Sequence, residues 1–186
     1  MNDASLPPVQ IRRATIDDAA ALAELAARTF TDTYGSENTP ENMAAHLSSA
    51  YGVAQQSREL ADPAWITLVA DSMGALMGYT QVRRSTPPPA VVPPNPVEIY
   101  RFYIDRPWHG RGLAYQLMDA AHLAASDLGG DVVWLGVWEK NARARAFYAR
   151  CCFVDVGETT FMVGPDRQND RVLVAPLSRS AGRSEG

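Results

Sequence analysis

The chain is poor in most of the features that would settle its class at once. Its two cysteines, Cys151 and Cys152, are neighbours, and a bridge between adjacent residues is strained, so reduced thiols are expected in place of a disulfide framework. No Cys or His spacing matches a zinc site, so no metal is expected. No window approaches the ~20 apolar residues that cross a bilayer, and Met1 to Ser5 offers no positive lead before an apolar core. The expectation is a cytoplasmic protein with no membrane partner. A basic surplus is also missing: the formal net charge is -4 and the pI about 5.3. Nucleic-acid binders usually carry a clustered excess of Lys and Arg, so no nucleic-acid partner is expected and a cationic small molecule is the more natural one.

What is present is enough apolar sequence for a substantial core, 46% of 186 residues. One domain over residues 1–186 is expected, with its core at about 9–177 and a polar tail, 178–186, expected to be disordered. Val9 to Ala14 alternates as a strand does. Thr15 followed by Asp17 and Asp18 then opens a helix over about Ile16 to Phe30, with Leu22, Leu25, Ala26, Thr29 and Phe30 on one face. Thr39-Pro40-Glu41 starts a second helix toward Val53, so two helices are expected before the main run of strands. Trp65 to Asp71 and Leu76 to Arg83 form a hairpin around Ser72-Met73-Gly74-Ala75. Residues 87–96 hold six of the 13 prolines and read as a stiff extended surface loop. A strand at Val97 to Ile104, a helix at Leu113 to Leu128 stopped by Gly129-Gly130, and a strand at Asp131 to Trp138 make a parallel, right-handed βαβ unit. Asn141 caps the next helix. Phe153 to Val156, Phe161 to Val163 and Arg171 to Leu177 read as closing antiparallel strands.

The turn inside the βαβ unit, Arg106-Pro-Trp-His-Gly-Arg-Gly-Leu-Ala114, carries the chemistry. Gly110 and Gly112 remove side chains that would keep an anion from the backbone, so N–H groups and a helix N-terminus can meet a pyrophosphate. It is not a Walker A loop, since no Gly-Lys-Ser or Gly-Lys-Thr follows. It is not a dinucleotide fingerprint either, since the third glycine and the ribose-binding acid are missing. A different pyrophosphate carrier is indicated.

In this register the chain resembles the GNAT superfamily of acyl-CoA N-acyltransferases. The family's Arg-Gly-x-Gly-x-Gly form maps onto His109, Gly110, Arg111, Gly112, Leu113 and Ala114, with His109 where Arg or Gln is usual. About thirty residues on, Trp138-Glu139-Lys140-Asn141 and then Phe147-Tyr148 before Phe153 match the family's second block. The run from Leu135 through Trp138-Glu139 and Asn141, with Gly157, Phe161, Gly164, Gln168 and Asp170, and upstream Thr29-Phe30 and Thr33-Tyr34-Gly35, looks like the PaiA-like subgroup, associated with polyamine acetylation. The resemblance runs from Val9 to Leu177. One departure concerns structure: Cys152 stands where the family commonly has Gly, and it carries strain if that position needs φ > 0.

The resemblance implies an α/β fold of mixed, mostly antiparallel type: about seven strands, a central parallel pair splayed around coenzyme A, and helices on both faces. It implies acetyl-CoA as co-substrate and a small-molecule amine acceptor, in a monomer or homodimer. The cofactor would lie against Phe102, Tyr103 and Ile104, the cradle His109 to Ala114, Asn141 and Tyr148, with the N–H near Ile104 as oxyanion donor. An ammonium acceptor, which in water gives up its proton only around pH ~10.4, needs a base. Glu98 is the candidate, acting through water; the alternative is an ordinary strand carboxylate. A thiolate leaving group needs an acid, and Tyr148 is the candidate, the alternative being a core aromatic beside Phe147. Asn141 serves as N-cap, as cofactor ligand, or as both, and Arg111 meets phosphate or solvent. Phe30, Tyr34, Tyr103 and the proline-rich loop are candidate walls for the acceptor, where aromatic faces suit a polyammonium; for Phe30 the alternative is the core. His46 and His122 have no partner pattern and read as structural. The rival functions are a protein lysine or N-terminal acetyltransferase and a non-catalytic acyl-CoA sensor.

Overall fold

The structure, a computed structural model, describes residues 8–92, 94–163 and 166–177. The expected tail at 178–186 lies outside the described residues, as do Pro93 and Gly164. Among the described residues seven strands make one sheet: β1 (Gln10–Arg13), β2 (Trp65–Ser72), β3 (Ala75–Arg83), β4 (Pro96–Ile104), β5 (Val132–Trp138), β6 (Val154–Val163) and β7 (Asp166–Pro176). Their order is β1-β2-β3-β4-β5-β7-β6. Every neighbouring pair is antiparallel except β4 and β5. Five α-helices accompany the sheet: α1 (Ala19–Tyr34), α2 (Pro40–Ala50), α3 (Val53–Ala61), α4 (Leu113–Asp127) and α5 (Ala142–Arg150). Among the described residues no helix is long and apolar enough to cross a membrane.

Strand alternation sorts the core into two layers. Val97, Ile99, Val133, Leu135 and Val137 pack with Met118, Ala121 and Ala125 of α4 and Tyr148 of α5. On the opposite face Val69, Tyr79 and Trp138 meet Leu22, Leu25, Ala26, Phe30 and Tyr34 of α1. The β2–β3 hairpin closes with Ser72 opposite Ala75. Its two turn residues, Met73 (φ 54°) and Gly74 (φ 86°), both take the left-handed conformation that matches the twist of a two-residue hairpin.

Three expectations change. The helical stretch before the sheet is two helices, so three helices precede β2. Tyr51 and Gly52 interrupt it, and Gly52 is extended (φ -65°, ψ 151°) as the N-cap of α3. Helix α3 escaped the periodicity because its buried positions are polar, Gln56 and Glu59. The closing strands are two, not three. Polar Glu158 to Thr160 sits on an edge strand, where one face meets solvent, so β6 runs unbroken through it. The proline-rich loop is not merely a surface strap: Val91 is buried against Trp134 and Val172.

Glu59 anchors α3 through a charged cluster. Its Oε2 accepts from Arg101 Nη1 at 2.6 Å and from Gln81 Nε2 at 2.9 Å, while Oε1 accepts from Gln55 at 2.8 Å. Arg101 also donates to Gln81 Oε1 at 2.7 Å and stacks over Tyr51. Both charged side chains are nearly inaccessible, 6% and 5% exposed, so each depends on the other for the solvation it has lost. Glu59→Leu should therefore cost about 3–5 kcal/mol by leaving the guanidinium unpaired, and the double change with Arg101→Met should recover much of it; urea denaturation reads both. Cys152 has φ 64° just past the end of α5. Cys152→Gly should raise stability by about 1 kcal/mol through relief of the left-handed strain, seen as a higher melting temperature.

Candidate active site

Strands β4 and β5 pair over only three positions, Pro96 with Val132, Val97 with Val133 and Glu98 with Trp134. Beyond them both strands continue, to Ile104 and Trp138, without pairing to each other. Their facing edges therefore carry backbone N–H and C=O groups with no ladder partner, and such groups require a ligand or water. The gap opens into a cleft of about 760 Å³ that reaches from α1 to the start of α4 and along α5.

At one end stands the cradle. Gly110 (φ 74°) and Gly112 (φ 81°) are both left-handed, and a Cβ at either would meet nothing within 4 Å, so the space beside them is open. Gly112 is the N-cap of α4 and supplies no capping side chain. Among the described residues the amides of Gly112, Leu113 and Ala114 donate to no backbone carbonyl, leaving three successive donors at the positive end of a 15-residue helix. Arg106, Arg143 and Arg150 line this part of the cleft. The arrangement suits a polyanionic group.

His109 is held from both sides. Its Nδ1 lies 2.6 Å from Arg143 Nη1, which can only donate, so Nδ1 accepts; Nε2 then carries the hydrogen and donates to the Ile104 carbonyl at 2.8 Å. The ring thus pins the end of β4 to the cradle and has no free nitrogen for a phosphate. Arg111 stacks over Trp108, which lines the cleft, and the Leu113 side chain is buried; neither of these two side chains lines the cleft itself.

The middle of the cleft is aromatic. Phe102, Tyr103, Ile104, Phe147 and Tyr148 all line it. Tyr148 is packed among Phe102, Phe147 and Phe153, and burial, then the nearby Cys151, pushes its phenol well above the ordinary tyrosine range. It is therefore a neutral O–H at any physiological pH. Asn141 also lines the cleft. Its Oδ1 caps α5 by accepting from the Ala144 N–H at 3.1 Å, which leaves the amide NH₂ as a donor.

On the α1 side Thr29, Asp32, Thr33 and Tyr34 form the wall. Tyr34 hydrogen-bonds Tyr103, and burial followed by the charge of Asp170 raises its phenol well above the usual value. Asp170 itself is pushed up to about 6, by burial and then by Glu139.

Two further sequence candidates, besides Arg111 and Leu113, have side chains that do not line the cleft. Glu98 is the last paired position of β4 before the splay, bound to Arg83 at 2.7 Å with its side chain 10% exposed, and it is not among the cleft-lining residues. Its carboxylate is held by Arg83, so the expected general-base role finds no free group there, although its neighbour Ile99 lines the cleft. Phe30 is fully buried among Tyr34, His46 and Tyr51, a core residue and not a wall. The proline-rich loop supplies no cleft residue among those described. Conversely, Gly136 and Asp170 had no assigned role. Both had a signal: a lone glycine inside an apolar strand marks close approach, and Gln168 and Asp170 are buried polar residues at alternate positions of a strand. Glu98→Gln should keep turnover within about threefold of the native protein while lowering its melting temperature, because it breaks an ion pair whose carboxylate does not line the cleft; parallel steady-state and thermal assays check both.

Comparison with known proteins agrees with this geometry. The sequence model of the acetyltransferase (GNAT) family matches residues 20–153. An uncharacterized N-acetyltransferase of Lactobacillus delbrueckii subsp. lactis, from the pepI 3' region, is 32% identical over 169 residues, covering 91% of this chain and 98% of the relative. An uncharacterized N-acetyltransferase of Mycobacterium tuberculosis is 35% identical over 160 residues, 86% and 98% of the two chains. The crystal structure of the PaiA N-acetyltransferase from Thermoplasma acidophilum in complex with coenzyme A superimposes with a TM-score of 0.71 at 17% identity, over 91% of this chain and 99% of that one; the likeness is one of fold.

Proposed function

The chain belongs to the GNAT family of acetyltransferases, an acetyl-CoA-dependent N-acetyltransferase, and from that premise we propose that its acceptor is a primary amine of a small cationic molecule, a polyamine fitting best. The carrying observation is the mixed lining of one cleft: the glycine turn with Arg106, Arg143 and Arg150, and the α1 residues Asp32 and Tyr34, border the same continuous space. An anionic acyl donor held by the glycine turn and a cationic acceptor beside α1 would meet at the splay.

The residues present fit coenzyme A. The glycine turn gives a phosphate room to approach backbone donors, and the unpaired edges of β4 and β5 offer a peptide-like chain the hydrogen bonds of a missing strand. Acetyl-CoA, when bound, supplies a thioester carbonyl as electrophile and a thiolate as leaving group. The protein's own part is positional and protonic. The amides of Gly112 to Ala114 hold the anionic end, Asn141 offers its NH₂ to the chain, and the edge of β4 up to Ile104 offers donors where negative charge would develop on oxygen. Tyr148, kept neutral by burial, hands its proton to the sulfur and so prevents the reverse attack. The transfer is direct, in a ternary complex.

Free-thiol release from acetyl-CoA is to be followed with spermidine, spermine, an aminoglycoside, free amino acids and short peptides as acceptors. The polyamines should give the highest kcat/KM. Turnover of peptides alone would replace the small-amine reading with a protein acceptor, and tight acetyl-CoA binding without turnover of any amine would leave a sensor. Tyr148→Phe should lower kcat by about 10²-fold while the Kd for coenzyme A changes less than threefold. Gly112→Val should instead raise that Kd more than tenfold, because a branched side chain cannot take φ 81° comfortably and its bulk fills the phosphate's approach; calorimetric titration with coenzyme A separates the two.

A further inference from the structure

We propose that Asp170 is the acceptor-side carboxylate of this enzyme: it receives the ammonium group of the amine across Gly136 and takes its proton. The proposal rests on the N-acetyltransferase reading above.

Asp170 lies on β7 opposite Trp138 of β5, so it shares the α1 face of the sheet with Trp138, Gly136 and Tyr34. It is only 7% exposed, and its Oδ1 is buried with no hydrogen-bond partner among the described residues. An ionised carboxylate in that state is expensive unless something compensates it. The cations nearby in sequence or space are already engaged. Arg171 holds Asp155 and Glu158, Lys140 holds Glu37, and Arg167 donates to Thr160. The charge that does face Asp170, Glu139 in the turn after β5, has the same sign; Tyr34 from α1 is neutral, and Thr159 stands across from it on β6. The missing positive charge is thus one that a ligand brings.

Gly136 gives the route. It lines the cleft on β5, and a Cβ placed there would lie 3.2 Å from Asp170 Oδ2. Only the absence of a side chain at position 136 joins the carboxylate to the splay. With its proton affinity raised to about 6 by burial and by Glu139, the group is ionised at neutral pH and still a better base than a surface aspartate. The step balances. One N–H bond of the ammonium breaks and the proton passes to Asp170; the freed lone pair forms the C–N bond as the C–S bond breaks, and the sulfur takes the proton of Tyr148. The second proton then leaves the amide nitrogen and restores the Tyr148 phenol, and Asp170 releases its own to water, so the ammonium's two protons end on the thiol and in solvent.

The test compares native enzyme and Asp170→Asn with saturating acetyl-CoA, using spermidine or whichever acceptor of the panel the native enzyme turns over fastest. The native kcat/KM should fall on an acid limb near pH 6. Asp170→Asn should lose about 10²-fold at pH 7.5 and lose that limb, with the Kd for coenzyme A within threefold of native. Its melting temperature above pH 7 should be equal or higher, since a buried charge is removed. Independently of turnover, carboxyl-¹³C NMR of aspartate-labelled protein should show a resonance titrating near pH 6 that is missing from Asp170→Asn. Native-like activity, or an acid limb retained in Asp170→Asn, overturns the proposal, as does the lack of such a resonance. A native enzyme that acetylates no amine overturns the catalytic premise instead, and the NMR arm then still reports on the carboxylate.

Discussion

The parallel pairing of β4 with β5 stops after three residue pairs, and the rest of the site follows from that stop. A strand edge buried without partners is costly, so two edges facing each other across a gap form a slot whose unmet hydrogen bonds suit an extended ligand. The neighbours keep the gap open. β3 holds β4 antiparallel up to Ile104, and β7 holds β5 up to Trp138, so each strand is bound on its outer side and free on its inner side. The His109 ring, bonded to Ile104 and Arg143 together, ties the open end of β4 to the start of α5 through the glycine turn. Cradle, acid and wall are then consequences of which residues fall beside the slot.

The interior treats its buried carboxylates differently, and the contrast separates structure from chemistry. Glu59 is surrounded by donors from three elements, Gln55 in α3, Gln81 in β3 and Arg101 in β4, and it fastens α3 to the sheet. Glu98 is likewise paired, to Arg83, at the last position of the parallel ladder. Asp170 has no such partner among the described residues and sits beside the one glycine of β5. Charges that serve the fold come with their counter-charge in the chain. One left without it, next to an open cleft, is in the state expected of a group that works on a ligand.

Much of the fold was legible because the signals are local. Strand alternation, the N-caps at Thr39 and Asn141, the Met73-Gly74 hairpin and the βαβ order each depend on a few adjacent residues, and the structure repeats them. Helix α3 was not legible, since its buried side chains are Gln56 and Glu59 and an apolar-periodicity reading treats those as solvent-facing. The site divided in the same way. Gly110, Gly112, Asn141 and Tyr148 stand out by type and spacing and all line the cleft. Glu98 does not line the cleft, because the β3–β4 register sets Arg83 opposite it and the pair engages its carboxylate, which no local pattern reveals. Glu98 stands six residues before Ile104, roughly 20 Å from the cradle end of the strand at the usual rise.

By itself, the sequence determined where the chain must turn, which faces are apolar and where glycine leaves backbone amides bare, because torsional preference and side-chain period act within a few residues. It also carried the two-block pattern of the family. Only the tertiary structure decided where the parallel ladder ends, that Arg83 neutralises Glu98 while no cation among the described residues neutralises Asp170, and that Gly136 of one strand opens onto a carboxylate of the next. Those facts depend on registers and counter-charges drawn from residues far apart in the chain, and solvation of a charge is set by all its neighbours at once.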